Sequence, residues 1–309
     1  MDDTQQWKVS RRTGRIITWS LFSVALLIVV IVGTVGWIAS DRALGPEIGT
    51  TPWSLADYPE LQPEEISFDS QTGVTLSGRF FPGEHDGGVI LLHGFSQLQD
   101  QMLPIASILN DAGFNVLTYD GRHPERYGDG VFSTLGALEQ QDLESAVDFM
   151  AEHPDVSPDR IGVFGASLGG ATAILGGARD ERLQAIAAEG AFSDGDNVID
   201  SSFQRYIGLP AFPFGPVAKR ISEWRASASL EDARPVDAIA QIVDRPILLI
   251  HGLDDDAVPP DHTHRNLAAA GSNVDSWLVE GAHHFDAHEV VPEEYAERME
   301  QFFSNALLD

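Results

Sequence analysis

Hydrophobic residues fall along this chain in three patterns. From Ile16 to Ser40 every position is uncharged, in one unbroken run of 25 residues. From Glu65 onward, short apolar runs alternate with stretches in which apolar positions recur at helical spacing. Between these regions, residues 41–64 carry Pro46, Pro52, Pro59 and Pro63 without a period, which reads as an irregular connector.

The region from Glu65 onward predicts eight strands. Glu65 to Asp69 and Val74 to Phe81 form a leading hairpin around Gly73, and Gly88 to Leu92 is a continuous apolar run of the buried parallel kind. Further strands are expected at Phe114 to Tyr119, Ile161 to Phe164, Leu183 to Ala188, Ile247 to Ile250 and Val274 to Val279. Helical patterning covers Leu98 to Ala112, Leu135 to Glu152, Leu168 to Ala178, Asp261 to Ala270 and Pro292 to Leu307. Strand and helix alternate, so the expected architecture is a mostly parallel α/β sheet covered by helices on both faces. Residues 193–244 break the rhythm. They hold Phe203, Tyr206, Phe212, Phe214 and Trp224 without a clear strand. Insertions of that length tend to be functional, and a small helical cap would use these aromatics to line a site; packing onto the sheet edge is the alternative.

The first run, at about 1.5 Å per residue, spans roughly 37 Å, enough to cross a bilayer with some tilt. Trp19 and Trp37 stand near its ends, where amphipathic rings favour the interface. Lys8, Arg11, Arg12 and Arg15 all precede it, which predicts a cytoplasmic N-terminus at 1–15, a transmembrane helix at 16–40 and an extracytoplasmic domain at 65–309. A cleaved signal peptide is the competing reading; the run is long for one, and no clean Ala-x-Ala site follows.

Charge narrows the partners. The formal net charge is −28, and from Asp41 onward 15 Lys and Arg face 45 Asp and Glu. Such a body repels nucleic acid and anionic headgroups. Lysine occurs only at Lys8 and Lys219, which fits either a domain bathed in high salt or an arginine-favouring genome. Cysteine is absent, so disulfides and thiolate chemistry are excluded.

Candidate chemistry sits at strand ends. Gly165-Ala166-Ser167-Leu168-Gly169 follows an apolar strand and precedes a helix, the setting of a nucleophile elbow. Glycines flank the serine because a side chain there would collide with neighbouring backbone. His93-Gly94-Phe95 follows the strand at 88–92; its turn can face the elbow, so the Phe95 and Leu168 N–H groups would form an oxyanion hole. Two later strands end in His251-Gly-Leu-Asp254-Asp255-Asp256 and in Gly281-Ala-His283-His284, supplying an acid and a base in the order Ser, Asp, His. His93 and His251 read as structural. His262, His264 and His288 read as surface helix positions, and their spacing suggests no metal site.

On these motifs, HGF at 93, GASLGG at 165, HGLDDDAVP at 251 and GAHH at 281, with STLGALEQQDL at 133 in support, the chain resembles the α/β-hydrolase superfamily. Within it, the resemblance is to membrane-anchored or secreted serine hydrolases of the esterase and prolyl-oligopeptidase-like type, over about residues 60–309. It implies Ser167 as nucleophile, Asp255 as acid ahead of Asp254 and Asp256, and His284 as base with His283 the competitor. It implies no cofactor and no metal, a small-molecule acyl substrate, and carboxylester hydrolysis through an acyl-enzyme. A peptidase or acyltransferase of the same fold, or a tethered binding protein without turnover, are the alternatives.

Overall fold

The computed structural model of the chain describes residues 3–196, 198 and 208–308. Eight strands form one sheet: β1 (Glu64–Asp69), β2 (Thr75–Phe81), β3 (Gly88–Leu92), β4 (Asn115–Tyr119), β5 (Ile161–Ala166), β6 (Leu183–Glu189), β7 (Ile247–Gly252) and β8 (Val274–Val279). Their order is β1-β2-β4-β3-β5-β6-β7-β8, with β2 antiparallel to both neighbours and every other pair parallel. The continuous apolar runs predict this arrangement well. Strands β3, β4, β5 and β7 are buried at every position, as strands covered on both faces must be.

Helices cover both faces. On one, α4 (Glu139–Glu152) and α5 (Leu168–Arg179) bring Leu143, Val147, Met150 and Ile174 against Ile90, Leu117 and Val163. On the other, α2 (Leu103–Asp111) and the C-terminal α10 (Pro292–Leu307) contribute Ile105, Leu109, Met299 and Phe303 against Val89, Val116 and Phe164. Other helices among the described residues are α1 (Asp3–Leu44), α3 (Pro124–Tyr127), α6 (Ala211–Ala226), α7 (Pro235–Ile239), α8 (Asp261–Ala269) and α9 (Ala287–Val290).

Several boundaries differ from expectation for local reasons. The helix expected from Leu135 begins at Glu139, because Leu135 and Gly136 both adopt positive φ. That turn is held by the Glu139 carboxylate, which accepts from the N–H groups of Thr134 (2.7 Å) and Gly136 (2.9 Å) and from both Ser133 and Thr134 hydroxyls. The helix expected from Leu98 starts at Leu103, after a 3-10 turn over Gln99–Met102.

The N-terminal helix is longer than the apolar run. α1 continues through Asp41 to Leu44, into the segment expected to be irregular. Its portion Thr13–Leu44 is long and apolar enough to cross a membrane, and its most apolar 18-residue stretch has a mean hydropathy of 2.6 and is almost wholly uncovered by the domain. Its last turns are the exception. Gly36, Ala39, Ser40 and Leu44, at helical spacing, are buried, chiefly against α6. That packing keeps the chain helical past the end of the apolar run.

The insertion departs furthest from expectation. Its described aromatics do not line a site: Phe212 and Trp224 are exposed, and Phe214 packs against α1. Phe203 and Tyr206 lie outside the described residues. The C-terminal part of the insertion returns to the sheet, where Ala238, Ile239 and Ile242 join the core. His262 and His288, expected on the surface, are buried, and only His264 is exposed. His262 Nδ1 accepts from the Ser193 N–H at 3.0 Å. Burial holds the His288 imidazole down at about 4, so it sits neutral among Trp53, Phe285 and Tyr295.

Arg245 ties the far end of α5 to the sheet. Its guanidinium donates to the Gly177, Asp180 and Leu183 carbonyls at 2.8–2.9 Å, supplying donors and positive charge where the helix leaves carbonyls unpaired. Arg245→Met should therefore lower unfolding stability by about 2 kcal/mol. A denaturant titration should show the midpoint falling at unchanged slope.

Candidate active site

The site is assembled at the C-terminal ends of β3, β5, β6, β7 and β8. Ser167 stands between β5 and α5 with φ 55° and ψ −114°, outside the ordinary allowed regions for a residue bearing a side chain. The turn is this tight because its flanks lack side chains. A Cβ at Gly165 would lie 2.1 Å from the Gly169 carbonyl oxygen, and one at Gly169 would lie 2.1 Å from the Leu92 oxygen. The enclosing glycines are thus a steric requirement: β5, α5 and the end of β3 share one volume there.

Residues Glu189 and Gly190 join the serine to the histidine. The Ser167 N–H donates to the Glu189 carbonyl at 2.8 Å, and a Cβ at Gly190 would stand 3.2 Å from His284 Cε1. His284 Nδ1 lies 2.7 Å from Asp255 Oδ2. Its neighbour His283 is exposed and turns its Nδ1 to the Asp254 backbone oxygen at 2.9 Å. The structure pairs Asp255 with His284, ties Ser167 through Glu189 to the Gly190 that borders His284, and leaves His283, Asp254 and Asp256 at the surface. Phe285, next in sequence, is buried at a φ of 54° against Phe164 and anchors the histidine loop from behind.

Asp255 is almost fully buried, at 4% exposure. Burial opposes its ionisation. Hydrogen bonds from His251 and His284, the charge of His284 and the Val258 N–H outweigh that penalty and hold the carboxyl well below its ordinary range. Asp255 Oδ1 accepts from the Ala257 and Val258 N–H groups at 2.9 and 2.8 Å. His251, expected to be structural, is buried and is a further partner of Asp255. Its Nε2 faces two acceptors, the Val258 carbonyl at 2.7 Å and Asp255 Oδ2 at 3.2 Å, so that nitrogen carries the proton and Nδ1 accepts from the Thr263 hydroxyl. A histidine placed four residues before the acid was the available signal.

Glu189 is a second carboxyl that sequence reading missed. Burial pushes it up to about 7, against hydrogen bonds from Tyr295 Oη (2.7 Å) and the Ala287 N–H (3.3 Å) and the attraction of His284. The signal was a glutamate ending an otherwise apolar strand. Two carboxyls near one imidazole are thus pushed in opposite directions.

Phe95 and Leu168 meet across the mouth of the elbow. Both pack in one small apolar cluster with Ala171, Phe192 and Val258. Leu168 is the first residue of α5, so its N–H belongs to the helix end that carries partial positive charge. Gly94 brings the preceding loop close: a Cβ there would lie 3.5 Å from Ser167 Cβ. The loop is fixed by Gln101 Oε1, which accepts from the Gly94 N–H at 2.7 Å, and Ser96 takes a φ of 62°. A small cleft borders the site on this side, lined by Phe95, Leu168, Tyr119, His123, Ser133 and Pro46 among others. Its floor is polar. Arg122 reaches Asp142 at 3.3 Å, and burial lifts the Asp142 carboxyl to about 6 despite that partner. Among the described residues, no group of three or more His, Asp or Glu is placed to hold a metal ion.

The strand order, the strained serine between strand and helix, and the His–Asp pair beyond it define an esterase- or peptidase-like α/β-hydrolase. Residues 101–309 match the model of the prolyl oligopeptidase family, and the chain belongs to that family. Uncharacterized protein YfhR of Escherichia coli (strain K12) is 26% identical over 276 residues, covering 86% of this chain and 85% of its own. Esterase YjfP of the same strain is 31% identical over 195 residues, 57% of this chain and 72% of its own. Among solved structures, Pyrococcus furiosus esterase Pf2001 superposes with a TM-score of 0.69 at 24% identity, covering 86% of this chain and 98% of its own.

Two substitutions test this construction. Gly169 lies in α5, where alanine would ordinarily add about 1 kcal/mol; the clash with Leu92 reverses the sign, so Gly169→Ala should lower Tm and soluble yield. For Glu189, the unfolded carboxyl ionises near 4.5 and the folded one near 7. Folding therefore takes up a proton between these values, and the stability contributed below 4.5 is lost as pH rises to 7. Glu189→Gln cannot ionise, so its stability relative to the parent should rise across that window by roughly 3 kcal/mol, read by denaturation at pH 4.5 and pH 8.

Proposed function

We propose that the protein is a membrane-anchored serine esterase. The reading is carried by the convergence of the strained Ser167 turn and the 2.7 Å His284–Asp255 pair on the two residues Glu189 and Gly190. In this reading, His284 takes the Ser167 proton as Oγ attacks an acyl carbonyl. Asp255, held ionised, fixes the histidine tautomer with the proton on Nδ1 and stabilises the imidazolium. The Phe95 and Leu168 N–H groups receive the oxyanion, where the start of α5 adds its partial charge. Collapse of the tetrahedral intermediate expels the alcohol with the proton from His284, and water repeats the sequence to release the acid. No step calls on a metal or cofactor.

Anchoring is supported by the length and apolarity of Thr13–Leu44 and by its lack of cover from the domain. The basic residues before it favour a cytoplasmic N-terminus and an extracytoplasmic domain. An ester is preferred over a peptide because Esterase YjfP and the Pyrococcus furiosus esterase are both named for that activity. The family match supports the peptidase reading.

The test is labelling of the detergent-solubilised chain with a fluorophosphonate, followed by turnover of paired aryl ester and aryl amide substrates. Ser167→Ala should abolish labelling, and His284→Ala should lower kcat by about 10⁴-fold or more. His283→Ala should stay within a few-fold of the parent, since its ring faces a backbone carbonyl and not Asp255. Equal losses at His283 and His284, or labelling that survives Ser167→Ala, would overturn the assignment; faster amide than ester turnover would favour the peptidase.

A further inference from the structure

We propose that the segment leading into α6 and its N-terminal half, residues 208–218, lies in the lipid bilayer beside α1, so that the cleft opens at the membrane surface and takes an acyl ester partitioned into the lipid. This rests on the anchoring and esterase reading and adds to it a second membrane contact and a substrate class.

The direction of α6 comes from its contacts. Val217 meets Gly36, with Cγ1 2.8 Å from where a Cβ would stand. Ser222 Oγ lies 3.0 Å from Ser40 Oγ, and Arg225 Nη2 lies 2.9 Å from Asp41. Later residues of α6 meet later residues of α1, so the helices run parallel and the start of α6 points back along the apolar span. Gly36 is four residues before the run ends at Ser40, about 6 Å inside it. Pro213 to Pro216 therefore lie deeper still; at Phe212 the backbone leaves helical geometry, and Ala211 joins Val35 and Phe214 around the Ala39–Ala218 contact, so the segment leading in stays beside the apolar span.

Their chemistry suits that depth. Gly208 to Ala218 carries no charge, and charges resume at Lys219 and Arg220. Phe212 is 80% exposed, and Trp224 and Trp37 are 72% and 49% exposed with ring centroids 6.5 Å apart. Bare aromatic rings are out of place on so acidic a surface, and the Trp37–Trp224 pair matches the belt that aromatic rings form at a bilayer interface. Pro210, Pro213 and Pro216 lack the N–H that lipid would leave unsatisfied.

The same contacts place the cleft. The carbonyl of Leu44, the last residue of α1, accepts from the Ser133 N–H at 3.1 Å. Ser133 and Pro46 both line the cleft. The Arg225 guanidinium stands 5.1 Å from the ring centres of Trp37 and of Phe132, joining α1, α6 and the cleft wall. From Ser40 to Leu44 is about 6 Å of helix, so the cleft begins roughly one turn above the end of the apolar run.

Because the chain contains no cysteine, single probes can be placed in the full-length protein. Ile28→Cys, Phe212→Cys and Val243→Cys, each carrying an NBD fluorophore, are reconstituted in phosphatidylcholine nanodiscs with spin-labelled lipid. Val243 is exposed in the loop before β7, at the opposite end of the strands from the site. The expected result is quenching by lipid spin label at positions 28 and 212 and by aqueous iodide at 243. Lipid quenching at 28 with iodide quenching at 212 overturns the proposal while sparing the anchor; iodide quenching at 28 overturns both. For the substrate class, Phe212→Asp should reduce turnover of a long-chain ester held in vesicles about tenfold and leave a short soluble ester unchanged. Equal effects on both esters, or none on either, would overturn that part, and fluorophosphonate labelling of the same samples reports separately whether Ser167 is reactive.

Discussion

Much of this structure is organised around the approach of three backbone segments at Gly165 and Gly169. Strand β5, helix α5 and the end of β3 meet where the space for a methyl group is already occupied by carbonyl oxygens. The contact forces Ser167 into its strained turn and sets the axis of α5 against the sheet. It also brings the loop after β3 level with the serine. The stored strain is borne by the large buried faces of β5 and α5 and by Arg245 at the far end of the helix.

Around that point the molecule uses burial in two opposite ways. Asp255 is desolvated but surrounded by donors, so it stays ionised beside His284. Glu189 is desolvated with fewer partners and keeps its proton toward neutral pH. The difference lies in the backbone and in His251: the turn after β7 presents two N–H groups to Asp255, whereas Glu189 receives one longer N–H contact and a tyrosine. A single fixed negative charge beside the imidazole serves its orientation better than two, which would repel each other.

Most of the fold was legible in the residues. The central strands β3, β4, β5 and β7 coincide with apolar runs, because buried parallel strands need side chains that avoid water on both faces, and the edge hairpin showed in its alternation around Gly73. The tight turn at Ser167 was legible from its glycines, and the Asp255–His284 pair from the places of these residues after successive strands. The choice between adjacent histidines was not. His283 turns to the Asp254 carbonyl and His284 to the Asp255 carboxylate, and spacing alone does not encode a ring direction. Helix starts at Leu135 and Leu98 were misjudged because side-chain hydrogen bonds and positive φ angles overrode apolar periodicity.

The sequence by itself determined the alternation of strand and helix, the uncharged N-terminal span and the position of the strained serine, since each follows from local pattern or from the volume of single residues. Tertiary structure alone decided which groups share an environment. It set Glu189 against Tyr295, brought His284 to Asp255, and laid the insertion helix along the end of α1 instead of over the cleft. These are contacts between segments up to about 180 residues apart, as in Ser40 and Ser222. Their energies depend on desolvation and packing, which exist only once the chain has closed on itself.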